Sequence, residues 1–161
     1  TAFATVNYSK TFSEIPVVLT TIASVNGNDT ISGRVKNIST TGFGYMFREQ
    51  EKNRNTHANE TVGYVAWQPG TGNIGSLQYQ VAATAKTVTN VWYPITLGKA
   101  FVDPPLVLAG MQTTSNTDTC SLRTQSVVAT GFTVKVEEEQ SKDSETSHPA
   151  ETVGYISISQ E

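Results

Sequence analysis

Acidic side chains cluster with a histidine and a tyrosine in one segment near the C-terminal end of the chain. Residues 137–151 contain six carboxylates and one lysine, so the segment carries a net charge of −5. Carboxylates and imidazoles offer hydrogen-bond acceptors and donors for hydroxyl groups, and an aromatic ring offers an apolar stacking face. The segment therefore predicts a binding loop for a polyhydroxylated ligand, with these candidate contacts: Glu137, Glu138, Glu139, Asp143, His148, Glu151 and Tyr155.

Other interpretations of this segment stay open. It could be a solvated acidic hairpin without a function, or a helix over residues 137–145, although that stretch has no apolar stripe. It could also hold calcium, because hard cations take six to eight oxygen ligands and clustered carboxylates repel one another unless they are neutralised. The acidic residues do not alternate regularly, however, and one histidine per half of the chain is few for zinc. We therefore expect no cofactor, with calcium as the alternative.

Four sequence signatures occur twice along the chain in the same order. Each copy has a phenylalanine followed by a proline and an apolar run, an arginine eight residues before a glycine, a Thr-Gly-Phe triplet around that glycine, and a closing Glu-Thr-Val-Gly-Tyr. The copies are offset by 89 residues at their openings and by 91 at their closings, which indicates a two-residue insertion between Val136 and His148. An ordered match of this length indicates an internal repeat. We call residues 1–72 the first half and residues 73–161 the second half.

The repeat adds candidate contacts in the first half. His57, Glu60 and Tyr64 have the same spacing as the histidine, glutamate and tyrosine that close the second half. The stretch 48–60 has a net charge of zero, so the two loops differ by five charges. We therefore predict that the second half holds the stronger or the only binding site.

Two arginines and two tryptophans complete the candidates. Arg34 and Arg123 precede the repeated glycines, and each could contact the ligand or pair with a nearby carboxylate. Trp67 stands before a Gln-Pro-Gly turn and is expected to be exposed for stacking on a sugar, whereas Trp92 is expected to cap the core.

The hydrophobic pattern predicts β-strands throughout. Phe132, Val134 and Val136 alternate with polar residues, which is typical of a half-buried strand. The runs 16–22 and 105–109 begin with proline and are rich in branched apolar residues, which fits buried strands. No window has a helical period, so we predict an all-β fold made of two antiparallel β-sandwich units in tandem.

These signatures resemble the H-type lectin domain family, over residues 6–67 and 91–159. The resemblance implies six-stranded sandwiches that bind galactose-type sugars in trimers, at sites shared between neighbours. The family's sugar-contacting arginine falls at Thr30 and Thr119 here, and its Trp-His pair is absent. Paired units with these signatures are also similar to modules appended to secreted bacterial enzymes that degrade polysaccharides.

The predicted units are residues 1–72 and 73–161. The segment from Gly72 to Asn90 connects them and holds an opening strand of the second unit at residues 77–81. The first unit has no such strand in the sequence, so it is either truncated or completed by the second half. No signal peptide stands at Thr1, which is expected of a mature protein or an excised domain.

Composition narrows the function. The net charge of −3 argues against nucleic acid, and no apolar run reaches the roughly 20 residues of a membrane span. No nucleophile elbow or phosphate loop is present, and nothing marks two glutamates as the acid–base pair of a glycosidase. We predict a secreted, non-catalytic module that binds a polysaccharide or glycan. A larger multidomain parent protein is one alternative for its context, and the sequence does not predict the oligomeric state of the module. The alternatives are a protein-binding adhesion or structural module, and a fragment of a glycoside hydrolase or lyase.

Overall fold

The computed structural model describes residues 2–53 and 56–160, and within those ranges it contains β-strands and no helix. The predicted all-β fold class is therefore confirmed, and residues 137–145 are not helical. The strands are β1 (Ala4–Asn7), β2 (Val17–Ile22), β3 (Ile31–Lys36), β4 (Gly42–Glu49), β5 (Val62–Trp67), β6 (Gly70–Ile74), β7 (Leu77–Ala83), β8 (Tyr93–Thr96), β9 (Leu106–Met111), β10 (Cys120–Val128), β11 (Gly131–Glu138) and β12 (Val153–Gln160).

Strand β11 shows how alternation sets the faces of a sheet. Phe132, Val134 and Val136 are buried, whereas Lys135 between them is partly exposed. Successive side chains of a strand point to opposite faces, so one face of β11 joins the core and the other meets solvent. The Phe132 ring packs edge-on against Tyr155 of β12, with ring centroids 5.3 Å apart. This contact joins the two sheets of the second half.

The first half forms two antiparallel sheets. Strand β4 lies between β1 and β3, and β2 pairs with β5. Val18, Val35, Phe43 and Tyr45 form the small core between the sheets. The first half is therefore a sandwich of a three-stranded and a two-stranded sheet.

The second half repeats this connectivity and adds a strand. Strand β11 lies between β8 and β10, and β9 pairs with β12, as β1 to β5 pair in the first half. The additional strand β7 pairs with the free side of β12 and contains residues 77–81, which the sequence predicted to be a strand. Strand β6 pairs with the outer side of β7 and contains the predicted unit boundary at Gly72.

The sheet of β2 and β5 gains no strand from the second half. In the described residues β5 pairs with β2 alone, so of the two alternatives the structure does not show the one in which the second half completes this sheet. The second half instead packs on the face of β2, where Val17 joins an apolar cluster with Val81 and Ile156. Gly154 permits this approach, because a Cβ at that position would lie 2.7 Å from Val17 Cγ1.

Polar side chains also bind the halves together. The Gln112 carboxamide accepts a hydrogen bond from the Val18 N–H at 2.8 Å and donates to the Val18 carbonyl at 2.9 Å. In the opposite direction, the Ser32 hydroxyl donates to the Cys120 carbonyl at 2.8 Å. Buried backbone groups at this interface thus find partners across it.

Arg34 of β3 crosses the interface and is only 1% exposed. Its Nη1 donates to the Asp118 carbonyl at 2.9 Å and lies 2.7 Å from Cys120 Sγ. Its Nη2 lies 3.3 Å from Glu151 Oε1, and both side chains of this ion pair are fully buried. A first-half cation is therefore compensated by second-half groups.

Arg123 occupies the equivalent sequence position in the second half but has a different environment. Its side chain is 61% exposed and pairs with Glu137 on the neighbouring strand. The repeat thus places one arginine in the interface and the other on the surface.

This difference predicts the stability of two matched variants. Arg34→Leu should lower the free energy of unfolding by about 3 kcal/mol, because it removes one partner of a buried ion pair. Arg123→Leu should change it by less than about 1 kcal/mol, since exposed ion pairs contribute little. Urea denaturation followed by tryptophan fluorescence measures both. Equal losses for the two variants would contradict the assignment of Arg34 to the interface.

Candidate functional site

In the first half, a histidine lies between two carboxylates. His57 Nδ1 is 3.3 Å from Glu49 Oε1 at the end of β4, and its Nε2 is 3.0 Å from Glu60 Oε1 in the segment that enters β5. Glu60 also accepts hydrogen bonds from the Ser24 hydroxyl at 2.5 Å and the Asn26 N–H at 2.8 Å. The glutamate therefore fastens the loop after β2 to the start of β5.

The second half builds the same arrangement from equivalent residues. His148 Nδ1 bonds Glu138 Oε1 at the end of β11, and His148 Nε2 lies 3.1 Å from Glu151 Oε1. Glu151 accepts hydrogen bonds from the Thr113 hydroxyl and from the Ser115 N–H, the latter at 2.8 Å. We call each arrangement a Glu-His-Glu triad. The repeated Glu-Thr-Val-Gly-Tyr signature contains its last member.

Gly27 gives the first triad its close contact with the neighbouring loop. A Cβ at this position would lie 2.5 Å from the His57 ring, and the Gly27 N–H donates to Glu60 Oε1 at 3.2 Å. A side chain here would force the imidazole to move. The first triad therefore packs directly against the loop after β2.

The hydrogen bonds shift the titration of these groups. The Ser24 hydroxyl does most to lower the pKa of Glu60, which falls to about 2, with the Asn26 amide and His57 adding to the effect. Burial works against a charge on His148, but hydrogen bonds with Cys120, Glu151 and Glu138 raise the pKa of the imidazole to about 10. His148 is therefore positively charged at neutral pH. Together with Arg34 it forms a chain of alternating charges with the two second-half glutamates.

The structure divides the predicted contact residues into two groups. The buried ones are Arg34, Glu138, His148, Glu151 and Tyr155, together with the side chains of His57 and Glu60. The exposed or partly exposed ones are Tyr64, Trp67, Arg123, Glu137, Glu139 and Asp143. The triad residues come together but lie behind the surface, so the second group supplies the side chains that face solvent.

The two tryptophans have the reverse of their expected environments. The Trp67 ring packs on Tyr79 of β7 with ring centroids 4.8 Å apart, beside the shared cluster of Val17, Val81 and Ile156. Trp92 is 37% exposed. The expectation that Trp67 is the exposed ring and Trp92 the core ring is wrong, because β7 supplies a packing partner to Trp67.

A polar cavity opens at the second-half loop, and Lys135 on its border also contacts Trp92. It has a volume of about 420 Å³, and the side chains on its rim include Asn90, Lys135, Glu137, Gln140 and Thr146. Lys135 Nζ also lies 5.3 Å from the centre of the Trp92 ring. The sequence pattern predicted only Glu137 and Glu138 among the residues that line this cavity. The outward position of Lys135 in the predicted alternating strand was the available signal.

The first half lacks an equivalent set of side chains. Met46 and Arg48 stand at the repeat positions of Lys135 and Glu137, and Phe3 stands at the position of Trp92. The charge difference predicted between the two loops therefore coincides with a difference in side-chain chemistry at the cavity.

A buried cluster of Cys120, Glu138 and His148 has the side-chain types of a transition-metal site, with ligand atoms within 4.8 Å of one another. The position of Arg34 argues against a metal at this cluster. Its Nη1 lies 2.7 Å from Cys120 Sγ and places a fixed positive charge where a metal cation would bind. Both ring nitrogens of His148 are engaged by Glu138 and Glu151, and these hydrogen bonds raise the pKa of the imidazole. The thiol and the imidazole nitrogens are therefore already engaged by protein groups, and the cluster does not suit a transition metal.

The low pKa of Glu60 predicts how stability depends on pH. The folded pKa of about 2 lies below the ordinary value of 4.5, so the ionised carboxylate stabilises the fold above the ordinary value. This contribution is lost as the pH falls from about 5 towards about 2. The melting temperature of Glu60→Gln should therefore start lower than that of the unaltered chain at pH 6 and converge with it in acid.

The exposed Glu14→Gln variant serves as the control for loss of one carboxylate, and its melting curve should follow that of the unaltered chain. Differential scanning fluorimetry at a series of pH values makes the comparison. A Glu60→Gln difference that stays constant from pH 6 to about 2 would contradict the role given to this carboxylate.

The comparisons with known proteins agree with this structure. Residues 3–67 match the family model described as the H-type lectin domain. The chain is also 32% identical to Halomucin of Haloquadratum walsbyi over 144 residues, which are 88% of this chain and 2% of that protein. No solved structure matches, and in the described ranges no helix is long and apolar enough to cross a membrane. The repeated signatures, the paired sheets and the family match agree, and residues 3–67 of the chain are similar to the H-type lectin domain family.

Proposed function

We propose that the chain is a non-catalytic module that binds a galactose-type glycan at the polar cavity of the second half. The observation that carries this proposal is the cavity itself, in which charged and amide side chains surround a volume of about 420 Å³. Small-molecule sites commonly have volumes of this size. The lectin family match supports a carbohydrate as the ligand class.

The side chains at the cavity suit a polyhydroxylated ligand. Asn90 and Gln140 each offer a donor and an acceptor, Glu137 offers acceptors and Lys135 offers donors. Each such pair can replace the water bonds that a sugar hydroxyl loses on binding. The partly exposed Trp92 indole stands next to Lys135 and supplies a face on which the C–H side of a galactose ring stacks.

The arrangement of carboxylates supports binding without catalysis. Glycoside hydrolysis usually requires two carboxyl groups on opposite sides of the scissile bond. Glu137 borders the cavity and pairs with Arg123 and Lys135, whereas Glu138 is buried and bonded to His148. Among the described residues, Glu137 is therefore the one exposed carboxylate on the border of this cavity.

The chain spans about 2% of the length of Halomucin, so the protein that carries this module can be far larger than the module. We propose that the module acts outside the cell, where polysaccharides and glycan chains are its available ligands. A glycan-binding role and the likeness to a protein named as a mucin both support this location.

Substitution of Trp92 tests the glycan site. Trp92→Ala should weaken binding to a galactan about tenfold, because it removes the stacking face while leaving the core intact. Glu137→Ala should also weaken binding, through lost hydrogen bonds. Affinity electrophoresis in gels that contain an agar-type galactan measures retardation of each variant against the unaltered chain.

Phe3→Ala is the matched control, since Phe3 occupies the repeat position of Trp92 in the first half. It should be retarded as strongly as the unaltered chain. Retardation in a uronate polymer but in no galactan would contradict the proposed ligand, and equal losses for Phe3→Ala and Trp92→Ala would contradict the proposed site. Release of reducing ends during long incubation would contradict the non-catalytic role.

A further inference from the structure

A second cavity lies where the end of β4 in the first half meets the loop after β11 in the second half. It has a volume of about 60 Å³, and six carboxylate residues border it: Glu51, Asp118, Glu138, Glu139, Asp143 and Glu145. This volume has room for one ion and a small number of water molecules. Lys142 is the one cationic residue on its border within the described residues, and its Nζ lies 3.7 Å from Asp143.

Glu138 gives the cavity a carboxylate oxygen that is not satisfied by the protein. Its side chain is 3% exposed, and its Oε1 bonds His148. Its Oε2 is buried and has no hydrogen-bond partner among the described residues. A buried carboxylate oxygen without a partner carries a large desolvation cost, which a bound cation would remove.

Neighbouring groups hold further oxygens at this place. Glu139 accepts hydrogen bonds at 2.7 Å from the Glu51 N–H and from the N–H and hydroxyl of Ser141, so its carboxylate is fixed before any ion arrives. The Asn116 amide donates to Asp118 Oδ2 at 2.9 Å and to Glu138 Oε1 at 3.4 Å. The Asn116 Oδ1 is also buried without a partner among the described residues.

We propose that this cavity binds one calcium ion, with Glu51, Asp118, Glu138 and Glu139 as the carboxylate ligands. Calcium takes six to eight oxygen ligands in a flexible geometry, and carboxylates are its preferred protein groups. Both ring nitrogens of the nearby His148 are engaged by Glu138 and Glu151, so the cavity offers oxygen and no nitrogen. This set suits a hard cation and does not suit zinc.

The ion would join the two halves. Glu51 follows β4 of the first half, whereas the other three ligands belong to the second half. Calcium therefore adds a cross-link to the interface that Arg34 already spans. This inference does not rest on the proposed glycan site, because the two cavities use different side chains apart from Glu138.

Calcium titration of two ligand variants tests the proposal. After dialysis against EDTA, the unaltered chain should bind one calcium ion per chain by isothermal titration calorimetry, and its melting temperature should rise with calcium. Glu51→Gln and Asp118→Asn should each weaken calcium binding at least about tenfold, since ligand charge sets the affinity of such sites. Using two variants from different halves keeps the test valid when one of them folds poorly.

Asp103→Asn is the matched control, because Asp103 is exposed in the loop before β9, at the opposite end of the second-half sandwich from Glu138. It should bind calcium as the unaltered chain does, and magnesium at the same ionic strength should give a smaller rise in melting temperature. The proposal is overturned by an unaltered chain that shows neither binding heat nor a calcium-dependent rise. It is also overturned when Asp103→Asn loses as much affinity as Glu51→Gln, which would indicate general charge screening. Loss of galactan binding in Trp92→Ala has no bearing on these outcomes.

Discussion

The guanidinium of Arg34 lies between the two halves without access to water, and its charge has to be compensated inside the protein. Glu151 supplies that compensation and also holds His148, which in turn holds Glu138 at the end of β11. The result is one connected series of ion pairs from the interface to the two cavities of the second half. The position of Glu138, and with it the rim of both cavities, therefore depends on a residue of the first half.

The two Glu-His-Glu triads show how a repeat can keep its framework and change its surface. Each triad fastens the loop after one strand to the entry of another, and the supporting residues occupy matching positions in both halves. Around the first triad the neighbouring positions hold Met46 and Arg48, whereas around the second they hold Lys135 and Glu137. The framework constrains only the residues that it uses, so the surrounding surface is free to acquire new chemistry in one half.

The sequence was sufficient to predict the strands, because alternation such as that of Phe132, Val134 and Val136 is a local property of the chain. The repeat also brought the triad residues to notice, but spacing alone does not distinguish a buried histidine from an exposed one. Arg34 and Arg123 are equivalent in sequence and differ in the structure, since Arg34 lies in the interface between the halves and Arg123 lies on the surface. The predicted environments of the two tryptophans were wrong because the prediction did not include a packing partner for Trp67. That partner is Tyr79, on a strand that has no counterpart in the first half within the described residues.

Cys120 is the one cysteine of the chain, is 2% exposed, and lies against the Arg34 guanidinium in the middle of the interface. A thiol in this position is shielded from oxidants and from exchange with other disulfides while the halves remain together, because those reactions require access to the sulfur. A thiol-specific reagent can therefore modify the folded chain only during the moments when the interface opens. When the reagent reacts faster than the interface closes, the rate of that modification equals the rate of opening, and Cys120 serves as a probe already present in the chain.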